Sequence, residues 1–352
     1  MSKTLTPQTK LLRKKLTDDS LAVFVLNVGD GDAIVVRFPK VDGRVSVAVV
    51  DCYDAEKTCA VIEDLGATHI EFVCATHPHF DHTKGILALL EWAISKGIAV
   101  EQFWDSGFRH VSKTHYDIIR FLQERKEIRV VRPTSGYETI CSLVRVLVLS
   151  PSIYLKNRYD TFGTNINNAS IVLKLEYPPQ DIAPAYLPEA SISDEELARN
   201  EGLRRNTFVL AGDAQFDAWA RITQEFPELV DTDNRLALID SKKREFRPLR
   251  CQVLKAPHHM SKHGLTLEVM EALQPRFTIA SCASRSKHGF PHELTVLAVK
   301  DLQKKKKDAG LRFTGHRTRG LGGGTIAALC RGNGAMPVVV PLGEGVGERA
   351  PI

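Results

Sequence analysis

Apolar residues in this chain come in short runs separated by glycine-rich or charged turns, and the spacing inside each run predicts its element. Residues 21–28, 33–38 and 45–50 are apolar runs of strand length, set apart by Gly29-Asp30-Gly31-Asp32 and by Asp42-Gly43. Runs joined by such tight turns predict an antiparallel meander. Residues 56–65 then show helical spacing that stops at Gly66, and 70–76 form a further strand. Residues 83–96 repeat apolar positions at Ile86, Leu89, Leu90 and Ala93 before Gly97, the period of a helix with one buried face. Strands at 99–104, 128–131 and 143–149 follow, with a helix within 112–126. A meander followed by alternating strands and helices predicts an α/β fold of two packed sheets with helices on both sides.

The second half continues the pattern around one break. A polar loop at 157–168 leads to a strand at 170–177, and residues 178–206 then hold Pro178, Pro179, Pro184 and Pro188 ahead of an acidic patch. That composition predicts a surface insertion between two paired strands. Strands at 207–210, 250–256, 277–281, 311–313, 325–329 and 337–340, and helices at 216–226 and from 293 to 307, complete the chain. With no internal repeat and no dividing linker, residues 1–20 are expected to be a tail or short helix and 21–345 one domain.

Composition refines this little. The 352 residues are 43% hydrophobic and 25% charged, with a net charge of +5, ordinary for a globular chain with a sizeable core and too mild to announce nucleic acid. No apolar run reaches about 18 residues, so no membrane span is expected, and the first residues lack the apolar stretch of a secretory signal. The seven cysteines are scattered with no Cys-x-x-Cys pair, which suits reduced, buried thiols and a cytoplasmic location. Basic residues gather at 242–244, at 304–307 and around His316 as Arg312, Arg317 and Arg319. For the lysine run a solvated helix end is the simpler explanation.

Chemistry concentrates in Thr76-His77-Pro78-His79-Phe80-Asp81-His82, directly after the apolar run Phe72-Val73-Cys74-Ala75. Imidazole nitrogens and a carboxylate are the donors that first-row divalent metals take. Side chains two apart on extended chain point the same way, so His77 and His79 can share one ion while Asp81 and His82 hold a second. A polar turn that happens to carry histidines is the bland alternative, disfavoured by the strand before the motif and the helix after it.

The His-x-His-x-Asp-His pattern is the signature of the metallo-β-lactamase superfamily, and the chain resembles more narrowly the soluble hydrolase domain of ComEC-type competence proteins. That resemblance runs through residues 25–33, Val50-Asp51, the motif itself, and 167–173, 210–214, 254–259 and 288–292. It implies an αββα metallo-β-lactamase-like sandwich of two mixed sheets flanked by helices, and two divalent ions, zinc or manganese. It further implies His77 and His79 at one ion, Asp81, His82 and one of His258 or His259 at the other, Asp213 bridging both, and Asp51 organising the site from behind. Asp213 standing alone would serve equally well as a helix cap. Two departures stand out. Cys52-Tyr53 replaces the glycines usual in ComEC-like domains, which predicts a stiffer loop. Residues 165–170 lack the histidine that most of the superfamily supplies, as ComEC-like domains do, so Asn168 or water would complete the first ion's shell.

The function this implies is metal-dependent hydrolysis, with Asp81 also orienting the attacking water. His292, and less directly His263, Lys262 and His288, are candidates to contact a phosphate or protonate the leaving oxygen. An isolated His292 would more often simply start a helix. A phosphodiesterase or nuclease acting on nucleic acid is expected, with Arg317 and Arg319 holding the polyanion. The alternatives are a small-molecule esterase of phosphorylcholine-esterase or lactonase type, and a catalytically silent binding or regulatory module.

Overall fold

The computed structural model describes residue 12 and residues 14–108, 110–162, 165–178, 206–227, 229–230, 245–246, 248–304, 309–315 and 323–343. Most of the expected insertion, the first 11 residues, the lysines at 305–307, the basic residues at 242–244, and Arg317 and Arg319 lie outside the described residues.

The chain enters a first sheet with β1 (Ser20–Val25), β2 (Ala33–Arg37), β3 (Ser46–Cys52), β4 (His69–Ala75), β5 (Ala99–Asp105) and β6 (Arg129–Val131). It crosses to a second with β7 (Glu138–Cys141), β8 (Val144–Ser150), β9 (Val172–Tyr177) and β10 (Asn206–Leu210). A separate pair, β11 (Leu229–Val230) and β12 (Glu245–Phe246), precedes β13 (Val253–Lys255), β14 (Phe277–Ala280) and β15 (Gly310–Phe313) of the second sheet. The first sheet then receives β16 (Ile326–Arg331) and β17 (Val338–Pro341). Their orders are β17-β16-β1-β2-β3-β4-β5-β6 and β15-β14-β13-β10-β9-β8-β7. Each sheet is antiparallel on one side and parallel on the other: β3 to β6 and β10 with β13 to β15 form the parallel halves.

Both faces of the central strands are buried, so they read as nearly continuous apolar runs. In β1, Leu21, Val23 and Val25 face the second sheet, meeting Val146, Val148, Leu173 and Phe208 among others. Ala22 and Phe24 face the other way, under α1 (Ala55–Asp64), α3 (Ile86–Ser95) and α4 (Lys113–Gln123), with the single turn α2 (Phe80–Thr83) between the first two. The outer face of the second sheet is covered in the same way by α6 (Phe216–Glu225), α7 (Leu267–Leu273) and α8 (Glu293–Gln303), while α5 (Ile153–Phe162) lies beyond β8. The result is the expected sandwich of two mixed sheets flanked by helices.

The structure departs from the sequence pattern at several places. β7 went unseen because three of its four residues stay exposed or half-exposed on a sheet edge. α5 occupies part of the expected polar loop, its apolar residues bunched at Ile153, Tyr154 and Leu155 rather than recurring along one face. α7 is only 7 residues long, capped by Thr266, whose side chain accepts from Val269 N. α8 ends at Gln303 rather than 307.

What this architecture does for function is to bring loops from both sheets together. Ile171 N donates to Thr76 O at 2.9 Å, tying the start of β9 to the loop after β4. His258 N donates to Gly212 O at 3.0 Å, joining the loops after β13 and β10. Gly212 has φ +50°, and a Cβ there would stand 3.1 Å from both Ser170 Cβ and Thr76 Cβ, so glycine serves both the backbone turn and the close approach.

Candidate metal centre

The motif loop is held from behind by Asp51, the next-to-last residue of β3, buried and with φ 57°. Its Oδ1 accepts from Thr76 N at 2.8 Å, and its Oδ2 accepts from Thr76 Oγ1 at 2.8 Å. His82 Nδ1 lies 2.7 Å from the same Oδ2. Because the carboxylate can only accept, it fixes the His82 proton on Nδ1 and turns Nε2 inward. His77 is fixed similarly, with Nδ1 at 3.1 Å from Thr76 Oγ1 and 3.3 Å from Ser170 Oγ.

The inward-facing atoms fall into two groups on either side of Asp213. On one side, His77 Nε2 is 3.0 Å from His79 Nδ1 and 3.8 Å from Asp213 Oδ2, and His258 Nε2 is 3.7 Å from that same oxygen. On the other, Asp213 Oδ1 is 3.2 Å from His82 Nε2 and 3.8 Å from His259 Nε2, and Asp81 Oδ2 is 3.7 Å from each of those nitrogens. Nitrogen and oxygen ligands tetrahedrally placed at about 2.0–2.1 Å from one ion stand about 3.3–3.4 Å apart. The second group, at 3.2–3.8 Å, lies near that spacing. His82 Nε2, His259 Nε2 and Asp213 Oδ1 are all buried without a hydrogen-bond partner. Bare buried donors and acceptors are costly, so a divalent cation fits this donor set.

Charges within the cluster are strongly coupled. Burial disfavours ionised Asp213, yet His82, His259 and His77 outweigh it and hold the carboxyl well below its usual range. Burial likewise opposes the His82 imidazolium, but Asp213 and Asp51 overcome it and push that imidazole well above its usual value. His77 goes the other way, kept well below by burial and by the His82 charge. For His77 burial outweighs the pull of Asp213, so its neutral ring is favoured.

The His258-His259 pair is not in a strand, so strand alternation does not decide which ring faces the cluster. His258, His259 and Met260 have φ of 46°, 51° and 62°, a left-handed run that turns both rings toward the centre. His259 Nδ1 donates to Ser281 O at 2.9 Å and the residue is 1% exposed. His258 is the more open ring, its Nδ1 at 2.8 Å from Gln215 Nε2 and 3.0 Å from Ser261 Oγ.

Two residues that sequence reasoning did not single out complete the surroundings. Asp32 lies 3.8 Å from His82 Nδ1 and 3.8 Å from His259 Nδ1, and it pairs with the buried Lys255 ammonium. Their signal was present: a lysine in an apolar strand two residues before Pro257, and a second aspartate in the Gly29-Asp30-Gly31-Asp32 turn. That turn is tightly placed, since a Cβ on Gly31 would meet Tyr53 Cγ at 2.6 Å and Asp81 O at 2.7 Å. His110 also approaches, its ring centroid 5.2 Å from that of His79.

Asn168 requires a correction. Its Oδ1 accepts from Gln215 N and Ala218 N, both at 3.2 Å, and its Nδ2 donates to Asp217 Oδ2 at 3.2 Å. It therefore caps α6 rather than completing a metal shell, which also frees Asp213 from the capping role. The neighbouring Asn167 is the amide at the site, with Nδ2 3.5 Å from His258 Nε2 and Oδ1 buried without a partner. His292 behaves as a helix start: its Nδ1 accepts from Leu294 N at 3.3 Å at the head of α8. His263, Lys262 and His288 are exposed; the His263 ring neighbours Phe216 at 5.8 Å and the His288 ring neighbours Phe290 at 5.6 Å. From the 288–292 loop it is Phe290 that reaches the cluster, 5.6 Å from His258 and 5.5 Å from His259.

No family model matches the chain, and no curated protein matches it. Solved structures do resemble it. A diphosphatase from the PhnP family aligns over 88% of this chain and 98% of its own, at 10% identity and TM-score 0.39. The metallo-β-lactamase fold protein YhfI from Bacillus subtilis aligns over 84% and 96%, at 9% identity and TM-score 0.39. Tm1679, a metal-dependent hydrolase of the β-lactamase superfamily, aligns over 83% and 95%, at 12% identity and TM-score 0.40. Likeness at this level carries no argument about the reaction, for which the cluster's own geometry must speak.

Proposed function

We propose that the chain is a metal-dependent hydrolase with a two-ion centre that cleaves phosphodiester bonds in nucleic acid. The observation that carries this reading is the division of Asp213: its Oδ2 faces His77, and its Oδ1 faces His82 and His259. A carboxylate with a separate donor set on each oxygen suits a bridge between two ions, and His79 and Asp81 complete the two sets. Zinc or manganese suits these nitrogen and oxygen donors. Two such ions, when bound, would activate water and stabilise charge on the leaving oxygen.

The protein's own residues contribute orientation and access. Asp51, Ser281 O and Ser170 hold ring nitrogens of His82, His259 and His77 by the hydrogen bonds already described, which fixes the tautomers that point lone pairs inward. Asp81 is the open member, its side chain 41% exposed, so it faces both the cluster and an incoming substrate. Phe80, within the motif, is 55% exposed, and Phe216, three residues after Asp213, is 44% exposed. Exposed rings next to the reacting centre suit base stacking, and Lys84 and Lys262 suit backbone phosphates. The ComEC resemblance supports the same substrate class.

The test joins metal analysis of the purified protein to hydrolysis of bis(4-nitrophenyl) phosphate, single- and double-stranded DNA, RNA, phosphorylcholine esters and lactones. At least two divalent ions per chain, nucleic acid cleavage, and a loss of about 1,000-fold or more in Asp213→Ala with the fold retained are expected. Absence of any divalent ion after reconstitution, or full activity in that variant, would overturn the centre. Turnover of a small ester with none of nucleic acid would replace the substrate.

A further inference from the structure

We propose that His69, Glu71 and Glu101 form a further divalent-cation site, structural in role, at the opposite end of β4 from the motif loop. His69 opens β4 and the motif follows its last residue, Ala75, so about six steps of extended chain, or about 20 Å, separate the two places. His69 and Glu71 are two apart on one strand, and Glu101 lies on β5, whose start Ala99 pairs with His69. One imidazole nitrogen and one oxygen from each carboxylate all come within 4.8 Å of one another.

The geometry of His69 is what points to an ion rather than to an ordinary ion pair. Its side chain is 8% exposed, and its Nε2 is buried without a hydrogen-bond partner. Yet that nitrogen lies 2.8 Å from Glu101 Oε1 and 3.9 Å from Glu71 Oε2. A nitrogen so close to a carboxylate without a hydrogen bond is misaligned with it. Two ligands of a common ion show that relationship, because each lone pair aims at the metal and not at its neighbour. The same signature marks the main centre, where His82 Nε2 and Asp213 Oδ1 stand 3.2 Å apart and neither is hydrogen-bonded to any partner.

The surroundings leave the donors in need of a cation. Glu71 and Glu101 place like charges on adjacent strands, which is unfavourable unless compensated. Arg44 offers only a distant contact, 3.9 Å to Glu71 Oε1, the oxygen not facing His69. Cys141 stays outside the donor set, since burial and then the charges of Glu71 and Glu101 push its thiol up to about 12. One imidazole and two carboxylates, with room for water on the exposed Glu101 side, suit zinc.

The experiment is zinc stoichiometry and thermal denaturation of the full chain for wild type, His69→Gln and Glu101→Gln. Wild type should bind one more zinc than either variant, and zinc should raise its melting temperature further than theirs, with hydrolysis of bis(4-nitrophenyl) phosphate unchanged. Equal stoichiometry in wild type and Glu101→Gln would overturn the site. Glu101 is half-exposed, so its variant decides the matter even where His69→Gln folds poorly. The result rests on a difference of one ion, whatever number the main centre holds, so it stands or falls separately from the hydrolase reading.

Discussion

Lys255 and Asp32 are paired with side chains 1% and 0% exposed, 223 positions apart in sequence, behind the two histidines that face Asp213 Oδ1. A lysine buried among apolar residues of β13 is tolerated because the aspartate neutralises it, and Gly212 O accepts from it at 3.4 Å. Lys255→Met should therefore cost about 3–5 kcal/mol by stranding a buried carboxylate. The double variant with Asp32→Asn should recover part of that loss. Chemical denaturation of the single and double variants measures it, and a Lys255→Met protein as stable as wild type would refute the pairing's structural role.

His258 and His259 should respond differently to alanine. His259, fully enclosed and fixed by Ser281 O, should lose metal from the set that includes His82 and Asp81, lowering content by about one ion per chain. The more open His258 should keep that ion and show lower turnover. Metal content measured beside kcat separates the two, and indistinguishable variants would count against the division.

Asn168→Ala tests the capping role against metal ligation. Two α6 amides lose their acceptor, so stability should fall by about 1–2 kcal/mol. Metal content should not change. A drop in bound metal without a drop in stability would restore Asn168 to the ion's shell.

Acid stability should depend on Glu176. Burial raises its carboxyl pKa, but Lys174 at 2.7 Å and Arg145 at 2.7 Å outweigh burial and lower it to about 2. Its folded value lies below its unfolded one, so its stabilisation is present above the ordinary carboxylate range and is lost as pH falls from about 4.5 toward about 2. At neutral pH it contributes on the order of 3 kcal/mol. Glu176→Gln should flatten the stability profile in that window, measured by denaturation at several pH values; an unchanged profile would show the shift to be absent.

How much could be read from the chain follows from how local each signal is. The motif at 76–82 carried its chemistry in its own neighbours, whereas Asp213 was marked out only through the family resemblance. The central strands of both sheets were visible as apolar runs because both of their faces are buried. Asn168 was misjudged because its partners, Gln215 and Ala218, come from a helix about 50 residues away, and no pattern around Asn168 reports that helix. Asp32 and Lys255 acquire meaning only as a pair across the sandwich. The orientation of His258 and His259 depends on positive φ values, which the pair's sequence does not announce.

Parts of the main centre are also distant in the order of synthesis. Its donors stand at 77–82, 213 and 258–259, and their loops meet only when the two sheets are stacked. Closing such long loops is an entropic cost met late in folding. An ion captured there would join a nearly finished molecule, acting on the rate of unfolding more than on the rate of folding. The centre is thus also a latch, one that cannot close until the last of its histidines has been made and both layers have come together.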